Sequence, residues 1–187
     1  MESIAEHKYV DTGAITWSST TPTFVTPFTI GNGTSNQQRI GNQIKKRSIK
    51  FKFTASASSA PGGEWDAVRI IIFNDTENVI STASQILSLT TTNEDMINSP
   101  YNRLELQNKT FKVLWDKRFI VDSIISGPIS KVFSVELFGK QLKGSKQTWT
   151  TGGTEAANVT KIFIVSTSLV APNPRITYAG RLSFTDV

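Results

Sequence analysis

The clearest pattern along the chain is an alternation in its first third. From Ser48 to Phe53, Ile49, Phe51 and Phe53 fall on one face, and Ser48, Lys50 and Lys52 on the other. Period-two alternation is the mark of a half-buried β-strand. It predicts a strand over Ser48 to Ala57, led in by Arg39-Ile-Gly41 and by the cations Lys45, Lys46 and Arg47. Ala67-Val-Arg-Ile-Ile-Ile-Phe73 is apolar at both parities, which predicts a central strand covered on both faces. Further strands are predicted over Phe111 to Val121, Lys131 to Phe138, Thr160 to Leu169 and Arg175 to Thr185. Shorter ones are predicted near Arg103 to Gln107 and Lys146 to Thr151. In the last long strand Ile176, Tyr178, Leu182 and Phe184 share one face, leaving Arg175, Thr177, Ala179 and Arg181 on the other.

Between these runs the pattern is looser. Tyr9 to Ile30 is rich in Thr and Pro with isolated large residues, and Pro22 and Pro27 exclude a central strand, so it reads as an extended edge segment. Asp75 to Pro100 is a long polar connection, with a short helix predicted over Thr82 to Leu89 anchored by Ile86, Leu87 and Leu89. A connection of that length is expected to be functional or partner-facing. The pattern as a whole predicts an all-β fold: an eight-stranded jelly-roll β-sandwich with a long inserted loop between the second and third strands. One domain is expected over residues 1–187, with an extended N-terminal segment at 1–38 ahead of a sandwich core at 39–187.

Composition narrows the chemistry. Hydrophobic residues make up 38%, the net charge is +5 and the pI about 9.5, a mild basic bias compatible with a polyanion partner. There is no cysteine, hence no disulfide or thiolate chemistry. Four Asn-x-Thr triplets, at Asn32, Asn74, Asn108 and Asn158, are expected by chance in so Asn- and Thr-rich a chain, and no apolar run approaches a membrane span. His7 is the only histidine and lies in the polar start of the chain, so neither a Ser/His/Asp triad nor a multi-histidine metal site is expected. Asp75 with Glu77, Glu94 with Asp95, and Asp116 with Asp122 sit at loops or strand ends where carboxylates solvate, and Asp75-x-Glu77 is too common a spacing to specify calcium. No enzymatic activity, cofactor or metal is expected.

The order of motifs resembles the capsid proteins of circular single-stranded DNA viruses, the circovirus-like and geminivirus-like group. The resemblance is carried by Glu6-His-Lys-Tyr-Val-Asp-Thr12, by Arg39-Ile-Gly41 running into the lysine-rich strand, and by Val68-Arg-Ile-Ile-Ile-Phe-Asn-Asp75. It continues through Phe111-Lys-Val-Leu-Trp-Asp-Lys117, Asn158-Val-Thr-Lys-Ile-Phe-Ile-Val165 and the terminal strand ending at Asp186. It implies a single jelly roll with strands named B to I. Ser48 to Ala57 then looks like B, Ala67 to Asn74 like C, Phe111 to Val121 like E, Lys131 to Lys140 like F, and the last two strands like H and I. In such shells the sheet holding B and I faces inward. The resemblance further implies a homo-oligomeric icosahedral shell of about sixty subunits, single-stranded DNA as partner, a location in the virion, and assembly in the host nucleus or cytoplasm, with no membrane partner.

Family members begin with an arginine-rich arm that is missing here. At +5 each, about sixty subunits carry roughly +300. Three nucleotides for each of 187 residues already bring 561 phosphates. Either an arm was removed or packaging relies on small cations; the preferred expectation is removal, with Met1 as an introduced start.

From the residues, Lys45, Lys46, Arg47, Lys50, Lys52, Arg175 and Arg181 are the candidate nucleic-acid contacts, although an ordinary solvated sandwich face gives the same alternation. Trp17, Phe24, Phe28, Trp65 and Trp149, in segments a lone sandwich need not bury, are the candidate subunit contacts. The alternative is a carbohydrate-binding β-sandwich using Trp17, Trp65, Trp115 or Trp149 as a stacking platform. A monomeric nucleic-acid module would need clustered surface aromatics.

Overall fold

The computed structural model describes residues 6–57, 65–122, 130–142, 146–169 and 173–187, with only the backbone at Trp65 and Asp122. In chain order the elements are β1 (His7–Trp17), β2 (Thr23–Val25), β3 (Gln43–Ser56), β4 (Trp65–Asp75), α1 (Asn93–Asn98) and α2 (Arg103–Gln107). They continue with β5 (Phe111–Asp122), β6 (Ser130–Phe138), β7 (Lys146–Trp149), β8 (Glu155–Ala157), β9 (Val159–Ser166) and β10 (Arg175–Asp186).

The strands form two antiparallel sheets, a β-sandwich. In the first, β1 pairs with β10 and β10 with β3; β3 then pairs with β6 along Ser48–Ser56 and with β7 along Gln43–Lys45, with β8 beyond β7. The second has the order β2-β9-β4-β5. The ends of the chain, β1–β2 and β9–β10, pair with each other. β3–β4 adds to the far side of β10–β9, and β5–β6 adds outside that. This is a hairpin rolled up on itself, the jelly-roll order, with β7 and β8 as an added ribbon.

The winding corrects the strand assignment. Ser48–Ser56 and the β4 run occupy the third and fourth places, not the first and second. β5 and β6 follow in the fifth and sixth, and the long insertion falls between the fourth and fifth strands. The first two places belong to β1 and β2. β1 carries Lys8, Val10 and Thr12 inward and His7, Tyr9 and Asp11 outward, so its buried set includes a lysine and a threonine and gives no apolar alternation. The buried Lys8 ammonium is held by Asp186 at 2.9 Å. Within residues 6–38, β1 and β2 are therefore strands of the sandwich, and Val10, Trp17, Phe28 and Ile30 lie in the core.

Between the sheets, Ile49, Phe51, Phe53, Ile176, Tyr178, Leu182 and Phe184 meet Val68, Ile70, Ile72, Ile162 and Ile164. Each such side chain contributes about 1.5–3 kcal/mol by leaving water. Gly180 admits the Phe51 ring; a Cβ there would stand 2.5 Å from it.

β4 and β9 are apolar at both parities because they have a second core behind them. Ile71, Phe73, Phe163 and Val165 pack against Ile80, Ile86, Leu87, Met96 and Ile97 of the connection. The inner side of that connection is thus packed on the sheet, while Val79 and Leu89 on it stay exposed. Arg69 fastens it: the buried guanidinium grips both oxygens of Asp116 (3.1 and 2.8 Å) and donates to the carbonyls of Met96 (2.9 Å) and Ser99 (2.7 Å). Thr92 caps α1 through Asp95 N. Leu89 is exposed rather than an anchor, and Arg103–Gln107 is a short helix capped by Asn102, not a strand.

Candidate nucleic-acid interface

Among the described residues the outer face of the first sheet is exposed, and its register lines the cations up. Arg181 of β10 lies directly opposite Lys50 of β3, with Asp11 of β1 beyond Arg181 and Glu136 of β6 beyond Lys50. One row across all four strands therefore reads Asp11, Arg181, Lys50, Glu136. Two like charges facing each other across strands repel, and each is drawn to its outer neighbour. Arg181 makes a two-pronged contact with Asp11 at 2.6 and 2.8 Å, and Lys50 reaches Glu136 at 3.0 Å. The Arg181 hydrogen bond holds the Asp11 carboxyl below the ordinary carboxylate range. Tyr9 lies beneath the Arg181 guanidinium at 4.6 Å.

Lys52 and Arg175 share this face with Lys45 and Arg47, all exposed. Among the described residues Lys45, Lys52 and Arg175 have no carboxylate partner, while Arg47 donates through Nε to the Thr185 hydroxyl at 3.2 Å. Beside the row, the small Ala179 leaves a depression of about 460 Å³ bordered by Asp11, Lys50, Lys52 and Arg181.

No family model matches the chain, and no curated protein matches it. Among solved structures it is similar to a chain in the cryo-EM structure of Broad Bean Stain Virus. The two are 9% identical, the match covers 100% of this chain and 87% of that one, and the TM-score is 0.30. Likeness at that level carries no argument about function.

Lys46 does not belong to the basic face. A bulge opposite Ser183 and Phe184 makes Arg47 the extra residue and turns Lys46 inward, where it is 2% exposed. Its ammonium crosses from the first sheet to the second and donates to Asn74 Oδ1 (2.9 Å), Thr160 Oγ1 (2.7 Å) and the carbonyl of Asn158. Asn158 adopts a left-handed backbone at φ 55°, which Asn tolerates better than most residues. Burial pushes the Lys46 amine down to about 7, against the pull of Glu155, whose own carboxyl is pushed up by burial. Three consecutive cations on a strand already signal that one must face the core; which one depends on the bulge.

The aromatic subunit-contact set needs correcting too. Trp17, Phe28 and Trp149 are buried within this chain, Trp149 beneath the Arg39 guanidinium at 4.5 Å. Phe24 is half-buried against Phe163 and Phe73, 4.9 and 6.2 Å between ring centres. The Trp65 side chain lies outside the described residues. Large apolar groups exposed among the described residues include Val132 and Phe138 on β6, Ile120 on β5, Leu104 and Leu106 on α2, and Val79 and Leu89 in the insertion. None stood out as exposed in the sequence, because single apolar residues break no pattern. Several carboxylates weighed for catalysis have structural partners: Asp75 takes Lys161 Nζ at 2.8 Å, Asp116 takes Arg69, and Asp95 accepts from the backbone of Thr92.

Proposed function

We propose that this chain is the subunit of a self-assembling viral shell enclosing single-stranded DNA, with the outer face of the β1-β10-β3-β6 sheet turned toward the nucleic acid. The supporting observation is an asymmetry between the two broad faces of the sandwich. One is padded by an insertion with its own apolar core, and the other, exposed among the described residues, carries Lys45, Arg47, Lys50, Lys52, Arg175 and Arg181 against Asp11 and Glu136. A wall with one dressed and one cationic side suits a container for a polyanion. The face is open, so it contacts phosphates without reading base order. Ile120, Leu104 and Leu106 are among the exposed apolar groups available to contacts between subunits. The role is structural rather than catalytic. A carbohydrate platform is disfavoured by the burial of Trp17 and Trp149 and by Trp115 stacking on Phe53 and Phe133 at 6.1 and 5.8 Å.

The test is the salt dependence of binding to single-stranded oligothymidylate. Each neutralised phosphate contributes a slope of about −0.7 in log affinity against log salt. Replacing Lys45, Arg47, Lys52 and Arg175 by Ala is expected to flatten the slope by about 3 if all four engage. An unchanged slope would overturn the reading of this face.

A further inference from the structure

The row Asp11–Arg181–Lys50–Glu136 carries more than a patch of charge, because both central cations already hold an anion. The Asp11 carboxylate meets Arg181 through two parallel contacts, at 2.6 and 2.8 Å, the geometry in which a guanidinium takes a phosphate. Glu136 occupies Lys50 in the same row. All four side chains are about half exposed, so these pairs are solvent-screened and contribute little to stability. An incoming anion can replace such a partner at small cost. The depression over Ala179 lies beside both cations and also touches Lys52, which leaves room for a phosphate group next to each ion pair.

We propose that Asp11 and Glu136 are built-in competitors for phosphate: they occupy Arg181 and Lys50 in the free subunit and are displaced by the phosphodiesters of a single-stranded nucleic acid. This rests on the proposed nucleic-acid role of the face and assigns its regulation. Exchange of one anion for another releases fewer counter-ions than a bare cation would, since the displaced carboxylate recovers its own. The two central cations thus add little to the salt slope while the carboxylates are present. Binding is held in check until a strand also engages Lys45, Arg47, Lys52 and Arg175.

The experiment compares three proteins on oligothymidylate across salt: the parent, Asp11→Asn/Glu136→Gln, and Lys52→Ala/Arg175→Ala. The neutralised-acid variant is expected to bind more tightly at low salt, with a slope steeper by about 1.4 for its two freed cations. Over a tenfold change in salt that alters the affinity ratio to the parent by about 25-fold. The Lys52/Arg175 variant is expected to flatten the slope by about 1.4. If the Lys52/Arg175 variant flattens the slope while the neutralised-acid variant matches the parent, the competitor role fails and the binding face stands. If neither variant moves the slope, both fail. Matching thermal midpoints among the three confirm that slopes are compared on folded protein.

Discussion

Replacing Lys46 by Met removes an ammonium from the interior and keeps most of its volume. Two effects oppose each other at this site. Burial disfavours the charge and brings the amine from its ordinary 10.5 to about 7. Three oxygen acceptors favour the ammonium, since a neutral amine has only two N–H groups to offer them. If burial prevails, the unfolded chain binds more protons at this residue than the native one between pH 7 and 10.5. Stability then rises with pH through that window, and the full penalty is present below pH 7. Integrating this titration from pH 7 to 9 gives a gain of about 2 kcal/mol for the parent that the Met variant lacks. Urea unfolding of both proteins at half-unit pH steps measures the difference directly, with other titrating groups cancelling. The pair is repeated with Glu155→Gln, because Glu155 faces the same ammonium. Parallel stability curves from pH 7 to 9 would show that the acceptors hold the proton and would refute the burial argument.

Two further substitutions probe the packing. Arg69→Met leaves the carbonyls of Met96 and Ser99 without this donor and the Asp116 carboxylate with the Tyr101 hydroxyl in place of its ion pair, and is expected to cost about 3–5 kcal/mol. Hydrogen exchange should speed up over 92–101 before the sheets themselves open; uniform protection would contradict the fastening role. Gly180→Ala puts a methyl 2.5 Å from the buried Phe51 ring and 3.1 Å from the Lys50 carbonyl, with an expected loss of about 1–3 kcal/mol in urea unfolding.

How far the sequence could be read depended on what each residue's burial required. β3, β4, β9 and β10 showed in the pattern because their inward sets are mostly aromatic or branched aliphatic. β1 did not, because Lys8 and Thr12 occupy inward positions whose burial depends on partners at the far end of the chain, such as Asp186. The second core was hidden for another reason: Ile80, Ile86, Leu87, Met96 and Ile97 are scattered through polar sequence and converge only when the insertion folds over β4 and β9. The shared face of Lys50, Lys52, Arg175 and Arg181 follows from alternation within two strands. Their neighbours Asp11 and Glu136 come from β1 and β6, and only the cross-strand register brings them alongside. The inward turn of Lys46 hangs on a single extra residue in β3, which alternation cannot locate.

The central claim is that this chain closes into a shell with its basic sheet inside. Cryo-electron microscopy of the purified protein mixed with circular single-stranded DNA addresses it most directly. The account predicts closed particles in which Lys45, Arg47, Lys52 and Arg175 line the interior against nucleic-acid density. Monomers at high concentration, or particles with those side chains on the outer surface, would contradict it.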